Sequence, residues 1–451
     1  MTTSMGYLGK VLEQGRRLAV KPFSIGSRED LDTSISGLQK KCAAVLSSRG
    51  QASGARTAAQ VLEIYEQYED DDKEAFFDVL LADFSQDKDQ LVDACRTYSA
   101  DPTQEHLQAL AGFMEPERQE LFRRLNLVPG GTACLVQMRQ DLLKILPRRP
   151  DLKPVDQDFL HLFRSWFNRG FLTLRPVSWS SPAIVLERLI KYEAVHEIDG
   201  WGDLKNRLDP EDRYCYAFFH PNLVNDPLIF VEVALCREIP SSVQNILRDD
   251  REHLKAEDAS VAAFYSISNC QKGLQGISFG NFLIKQVVEN LRVQYPNIKR
   301  FVTLSPLPGF SAWLSKDNRA EAFGLSADNL LALSGQDAGE DATLIDQLQD
   351  PMTRAALAYL TARKPNSTQL VDSVARFHLG NGARIEKLQW RADISDRGRR
   401  RAFGVMVNYL YELDQIEANH EAFVVQNEVK LSPALTALSK QASRHGAGAG
   451  S

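Results

Sequence analysis

Long apolar runs are absent from this 451-residue sequence, in which no window approaches the roughly 18 consecutive apolar residues of a membrane-spanning helix. A soluble protein without a membrane partner is expected. A strong charge of one sign is missing too: 53 basic against 59 acidic residues leave a formal net charge of -6, so no global field draws the chain to nucleic acid or anionic lipid. Cysteine is scarce and scattered. Cys42, Cys95, Cys134, Cys215, Cys236 and Cys270 include no C-x-x-C pair, unlike a zinc knuckle or a dense secreted disulfide framework. Reduced, mostly buried thiols in a cytoplasmic protein are the expectation. Seven histidines (His106, His161, His196, His220, His253, His420, His445) and the eighth, His378, show no H-x-x-x-H or H-E-x-x-H spacing, so no metal site is indicated. The first 22 residues carry Lys10, Arg16, Arg17 and Lys21 against Glu13 but no apolar signal-peptide core. The stretch His445–Ser451 reads as a flexible tail and not as a peroxisomal address.

What is present divides into two textures. From about residue 30 to 170 apolar residues recur at helical spacing, as in Ala59, Leu62, Ile64, Tyr65 and Tyr68, then Phe76, Phe77, Leu80, Leu81 and Phe84. This half is expected to be all-helical. The acidic run 69–72 marks a solvated face, because consecutive carboxylates on a helix point in different directions. Beyond Trp179-Ser-Ser-Pro182, segments 214–219, 228–235 and 262–268 are rich in aromatic and β-branched residues and read as strands. Another, 300–304, runs into Ser305-Pro-Leu-Pro-Gly-Phe310. The five acids between Gly335 and Asp350 stand without a base and read as an exposed acidic loop or insertion.

One junction carries chemistry. Residues 271–280, Gln-Lys-Gly-Leu-Gln-Gly-Ile-Ser-Phe-Gly, follow the strand 262–268 and open an amphipathic helix with Phe279, Phe282, Leu283, Val287, Val288 and Leu291 on one stripe. Unpaired backbone N–H groups at such a junction can hold a phosphate against the positive helix end. The spacing is neither the lysine-containing phosphate loop nor the dinucleotide fingerprint, and glycines here can equally serve close packing of helix on sheet.

The loop Gln275-Gly-Ile-Ser-Phe-Gly280, followed by Asn281-Phe-Leu-Ile, resembles the pyrophosphate loop of the acetyltransferase-type fold that binds acyl-coenzyme A, with Ser278 where those enzymes usually have glycine. Gln275, Gly276, Ile277, Ser278, Phe279, Gly280 and Asn281 are thereby implied as substrate-binding residues. The wider text resembles the malonyl-CoA decarboxylase family over roughly residues 170 to 425: Phe264-Tyr-Ser-Ile-Ser268, Leu304-Ser-Pro-Leu-Pro-Gly-Phe310, Phe377-His-Leu379 with Asn381-Gly382, and Asn408-Tyr-Leu-Tyr411. The helical half is similar to that family's helical domain in length and texture. The resemblance implies an α+β fold: a helical domain over 1–172 that serves oligomerisation, then an acetyltransferase-like (GNAT-type) catalytic domain over 173–451 with a flexible tail from about 440. It also implies a homo-oligomer acting on malonyl-CoA to release acetyl-CoA, with Ser305, His378 and Tyr411 as catalytic residues.

Such chemistry needs no cofactor, because the thioester carbonyl itself accepts the electron pair as an enolate, and coenzyme A is then part of the substrate. The protein must orient the carboxylate, stabilise the enolate oxygen and deliver a proton to carbon. Ser305 follows a strand and precedes Pro306, and by the resemblance contacts the malonyl carboxylate. The resemblance also implies an acid–base role for it, but its sequence is not the Gly-x-Ser-x-Gly elbow of hydrolases, and a lone serine hydroxyl has too high a pKa to ionise and act as a base, so an orienting hydrogen bond is its expected role. His378, framed by Phe377 and Leu379, is the implied proton-transfer residue, and an apolar frame lowers its proton affinity. Tyr411, taken as an aromatic at helical spacing, would position the thioester or His378. Arg384 through Arg401 holds seven bases against three acids, either a solvated face or a contact for coenzyme phosphates. The rival readings are an acyl-CoA-dependent N-acyltransferase and a non-catalytic malonyl-CoA sensor.

Overall fold

The computed structural model describes residues 32–48, 50–277, 280–335 and 342–447. They form two compact units: the first contains residues up to Asn168 together with Gln271–Ile277, the second Arg169–Cys270 and the chain from Ser278 onward.

The first unit is helical, as its spacing predicts, with eight α-helices between Ile35–Ser47 and Lys153–Trp166. The i, i+3, i+4 apolar residues converge: Tyr65, Phe76, Phe77, Leu80, Phe122 and Phe159 are buried, and the Phe122 and Phe159 rings stack at 4.2 Å. Asp70, Asp71 and Asp72 are exposed in the first turn of the helix Asp70–Ala82, where carboxylates meet the positive end of the helix dipole. The short segment 271–277 joins this unit through Arg139. Its guanidinium is 2% exposed and donates to the carbonyls of Gly273 at 2.6 Å and Gln275 at 2.8 Å, while Asp156 accepts from its Nε at 2.8 Å.

The second unit is built on an eight-stranded mixed sheet in the order β1-β2-β3-β4-β5-β8-β6, with β7 also paired to β8. The four segments read as strands become β2 (Arg213–Phe219), β3 (Ile229–Cys236), β4 (Val261–Asn269) and β5 (Arg300–Thr303). Their near-continuous burial explains why they read as unbroken apolar runs. The remaining strands were not expected: β1 (Thr173–Val177), β6 (Ser305–Pro306), β7 (Arg384–Gln389) and β8 (Met406–Tyr411). β1 and β7 are largely exposed or half-buried and carry arginines, prolines or glutamines, so they lack the apolar signature that β-propensity rests on. β4 and β5 pair in parallel, with the helix Gly280–Gln294 in the crossover, and every other strand pair is antiparallel. That helix buries Leu283, Val287, Val288 and Leu291 of the stripe read from its sequence, and Ile284 beside them, while Phe279 and the Phe282 side chain lie outside the described residues.

The acidic stretch after Gly335 is only partly a loop. Asp346 and Asp350 stand on the helix Ala342–Thr361, whose apolar positions Ile345, Leu348, Met352 and Leu360 are buried; residues 336–341 lie outside the described residues. A helix with acids on its wet face and apolar residues beneath outweighs the local charge that suggested a loop.

Candidate active site

Ser305, His378 and Tyr411 come from three elements far apart in sequence and meet inside the second unit. Ser305 stands just past β5, where β6 pairs Ser305 with Val407 of β8. Thr303, two residues earlier and fully buried, accepts the Ser305 hydroxyl at 2.9 Å, and takes the backbone N–H of Tyr409 at 3.2 Å. The Ser305 oxygen is thus held on a strand-end frame and not on a mobile loop.

His378 lies in the last turn of the helix Ser373–Gly380. Asp372 caps that helix, one carboxylate oxygen accepting from the Ala375 N–H at 2.6 Å and the other from the Tyr359 hydroxyl at 2.8 Å. At the far end the His378 carbonyl accepts from the N–H groups of Asn381 and Ala383, both at 3.1 Å, before Gly382 turns the chain at φ +83°. The imidazole is clamped edge and face: Nε2 is 3.2 Å from the Ser305 hydroxyl, Nδ1 is 2.8 Å from the Tyr411 hydroxyl, and the Tyr409 ring stacks on it at 4.5 Å.

These contacts set the proton positions. Burial alone pushes the His378 pKa down to about 3, and burial pushes the Tyr411 phenol well above its ordinary value, so both are neutral at pH 7. With Ser305 donating to Thr303, the Ser305 lone pairs face the imidazole. The neutral ring therefore carries its proton on Nε2 and accepts the Tyr411 O–H at Nδ1. A single directed chain results, from Tyr411 through His378 and Ser305 to Thr303, buried where, among the described residues, no charged group acts on the imidazole.

Two family models match the chain: "Malonyl-CoA decarboxylase C-terminal domain" over residues 170–447 and "Malonyl-CoA decarboxylase N-terminal domain" over residues 84–167. The chain belongs to the malonyl-CoA decarboxylase family. Malonyl-CoA decarboxylase of Agrobacterium vitis is 50% identical in a solved structure, with 89% of this chain and 99% of that one covered at a TM-score of 0.84. That of Rhodopseudomonas palustris gives 47% identity, 89% and 98% coverage and the same TM-score. The mitochondrial malonyl-CoA decarboxylase of the goose Anser anser anser is 36% identical over 349 residues, 71% of this chain and 69% of that protein.

Within this family member, Tyr411 is not at helical spacing: it closes strand β8, and the period of two places Val407, Tyr409 and Tyr411 on one face of the sheet. That is why two tyrosines of one segment both reach His378. Thr303 and Tyr409 had not been singled out. Thr303 could have been found from the same alternation, since it sits two residues before Ser305 along a strand; the Tyr409 stack had no local signal. Asn408, on the other face and fully buried, donates to the Thr303 carbonyl at 2.8 Å and accepts from Gln389 at 2.7 Å, tying β8 to β5 and β7.

The loop residues divide differently. Gln275, Gly276 and Ile277 belong to the first unit and Gly280 and Asn281 begin the helix of the second, while Ser278, Phe279 and the Asn281 side chain lie outside the described residues. Gly276 has φ +86°, a conformation that any side chain strains. In the basic stretch, Arg384 pairs with Glu386 and Glu412, Arg399 with Asp396, and Arg397 donates to the Ala194 carbonyl at 2.6 Å. Two of its seven bases are thus matched by carboxylates. Among the described residues no group of three or more histidine, cysteine or acidic side chains could hold a metal.

Proposed function

We propose that this chain decarboxylates malonyl-CoA to acetyl-CoA and carbon dioxide, and that the observation carrying the reading is the buried chain Tyr411–His378–Ser305. The bond between the malonyl α-carbon and its carboxylate breaks, carbon dioxide leaves, and the electron pair passes into the thioester as an enolate. A proton then passes to the α-carbon from the His378 imidazolium, which has taken it from water and returns to the neutral ring. Ser305 orients the carboxylate by hydrogen bonding, and His378 moves the proton. The free enzyme holds His378 neutral, but a carboxylate arriving beside Nε2 supplies the negative neighbour that favours the imidazolium form, so the substrate itself raises the proton affinity its reaction needs. Tyr411 fixes the ring and its tautomer. No cofactor is required by this sequence of steps, since the thioester is the electron sink.

Incubating the purified protein with malonyl-CoA alone tests the reading. Carbon dioxide and acetyl-CoA in equal amounts are expected. Intact malonyl-CoA would make the protein a sensor, and turnover only with an added amine would make it an acyltransferase. Ser305→Ala should lower kcat by roughly 10²-fold, the usual worth of one preorganised polar contact, with coenzyme A binding almost unchanged. Wild-type kcat in that variant would reduce Ser305 to a strand-end residue.

The loop 275–281 is proposed, on the family resemblance, to bind the coenzyme pyrophosphate, although the Gln275 and Ile277 N–H groups are already bonded to the carbonyls of Lys272 and Leu274. Because of the positive φ, a bulky Gly276→Val would strain the turn, so Gly276→Ala is the gentler probe. It should raise KM by about tenfold while kcat changes little, the pattern of lost uniform binding. An unchanged KM would take the loop out of the site. Assembly and location belong to the same reading. Leu107, Phe113, Met114 and Leu127 are exposed on the helical unit and support a homo-oligomer formed partly there. Six free cysteines suit a reducing cytoplasmic compartment.

A further inference from the structure

Among the described residues three aromatic rings border the His378 imidazole, and one of them lies flat on it. The Phe377 ring, at 5.0 Å, and the Tyr411 ring, at 6.1 Å, are steeply inclined to it at 77° and 69°, whereas the Tyr409 ring stacks at 4.5 Å and 25°. Strand β8 fixes the residue that carries it. Tyr409 is fully buried, pairs with Ile385 of β7, and donates its backbone N–H to Thr303 Oγ1 at 3.2 Å.

The Tyr409 hydroxyl, by contrast, has no hydrogen-bond partner. A buried phenol ordinarily finds one, and leaving it without one costs stability. The hydroxyl therefore holds nothing in place, and what Tyr409 presents to His378 is the face of its ring. The face of an aromatic ring is negative and attracts a cation within about 6 Å, most strongly where water is excluded.

That attraction matters once the imidazole is charged. Among the described residues no charged group acts on it, and its two nitrogens meet the hydroxyls of Ser305 and Tyr411. Asp372, at the other end of the same helix, is engaged by the Ala375 N–H and the Tyr359 hydroxyl. The carbonyls of Phe377, His378 and Leu379 in the last helical turn accept from the N–H groups of Asn381, Gly382 and Ala383. A bound malonyl carboxylate favours the imidazolium only until carbon dioxide leaves and its charge passes to the enolate oxygen. The ring face stays where it is.

We propose that the face of Tyr409 stabilises the imidazolium form of His378 while the proton passes from water to the α-carbon. The inference rests on the reading of His378 as the proton-transfer residue, and Tyr409 acts through it.

Fluorination of the ring tests this, because each fluorine weakens the negative face and hardly changes its shape. Phenylalanine is placed at position 409 of the full chain, then the same ring with one, two and three fluorines. With malonyl-CoA saturating, kcat should fall stepwise by about tenfold over the series, while KM and the melting temperature stay nearly constant. Tyr409→Leu, which removes the face altogether, should lie about tenfold or more below Tyr409→Phe in kcat. With His378→Asn in the same chain the fluorine series should be flat. A flat series on the wild-type histidine overturns the proposal, and so does an equal gradient with His378→Asn. The two readings fail separately. Full turnover by His378→Asn removes the proton-transfer role and this inference with it, whereas loss of turnover in that variant beside a flat fluorine series removes only the role of Tyr409.

Discussion

His378→Asn is expected to lower kcat on malonyl-CoA by about 10²- to 10⁴-fold, the usual worth of general acid–base catalysis. More substrate should not restore it. In deuterated water the wild type should place a solvent deuteron on the new methyl group. The same substitution also costs stability, because the imidazole fills a closed site between Tyr409, Ser305 and Tyr411. Two lost hydrogen bonds and a smaller side chain amount to about 1–3 kcal/mol. A pH series separates the two effects. With a folded pKa of about 3 against the ordinary value 6.5, only the unfolded chain takes up this proton between those limits. The contribution of the buried neutral ring is therefore fully present above pH 6.5 and declines as the pH falls toward 3, by about 2 kcal/mol at pH 5. The stability gap between wild type and variant should narrow from pH 7 to pH 5. In kinetics, kcat/KM of the wild type should show no inflection near 6.5 from this residue, since it reports the free enzyme, whereas kcat can show one. A variant that melts early but turns over at full rate would leave His378 a core residue and nothing more.

Gly382→Ala should destabilise the second unit by about 3–5 kcal/mol and lower kcat in the molecules that remain folded. Gly382 follows the helix that carries His378, at φ +83°, and a Cβ there would lie 2.1 Å from the carbonyl oxygen of Ile416. Left-handed backbone costs a side chain about 1–3 kcal/mol, and overlap with backbone that cannot rotate away adds a similar amount. Relief requires the turn 381–383 or the helix Ile416–Val424 to move. The His378 carbonyl is bonded to Asn381 and Ala383 in that turn, so any shift passes to the imidazole, which tolerates little displacement from Ser305. Chemical denaturation and single-turnover rates read the two consequences. A melting transition within a degree or two of wild type would show the turn to be softer than its geometry requires.

Helical periodicity in the first 170 residues and four apolar runs in the second half were enough to place the helical unit and four of the eight strands, because burial on one helical face or on both faces of a strand writes a pattern into the sequence itself. The residues Ser305, His378 and Tyr411 were reached by family resemblance, and the buried neutral state of His378 was legible from its apolar neighbours. Their meeting was not. Ser305 and His378 are 73 positions apart, and His378 and Tyr411 33; the pairing of β8 with β5 and β6 joins Tyr411 to Ser305, and the pairing of β7 with β8 brings in the His378 helix that precedes β7. Strand β8 also reversed the reading of Tyr411, because a helix and a strand can share aromatic residues and only hydrogen bonding to neighbours decides which period applies. The stack of Tyr409 on His378 was likewise silent in sequence: it exists only because β8 is a strand, which turns Tyr409 and Tyr411 to one face. Local pattern determines which segments are buried, while contacts between distant segments determine which polar groups lose water, and with it which of them can do chemistry.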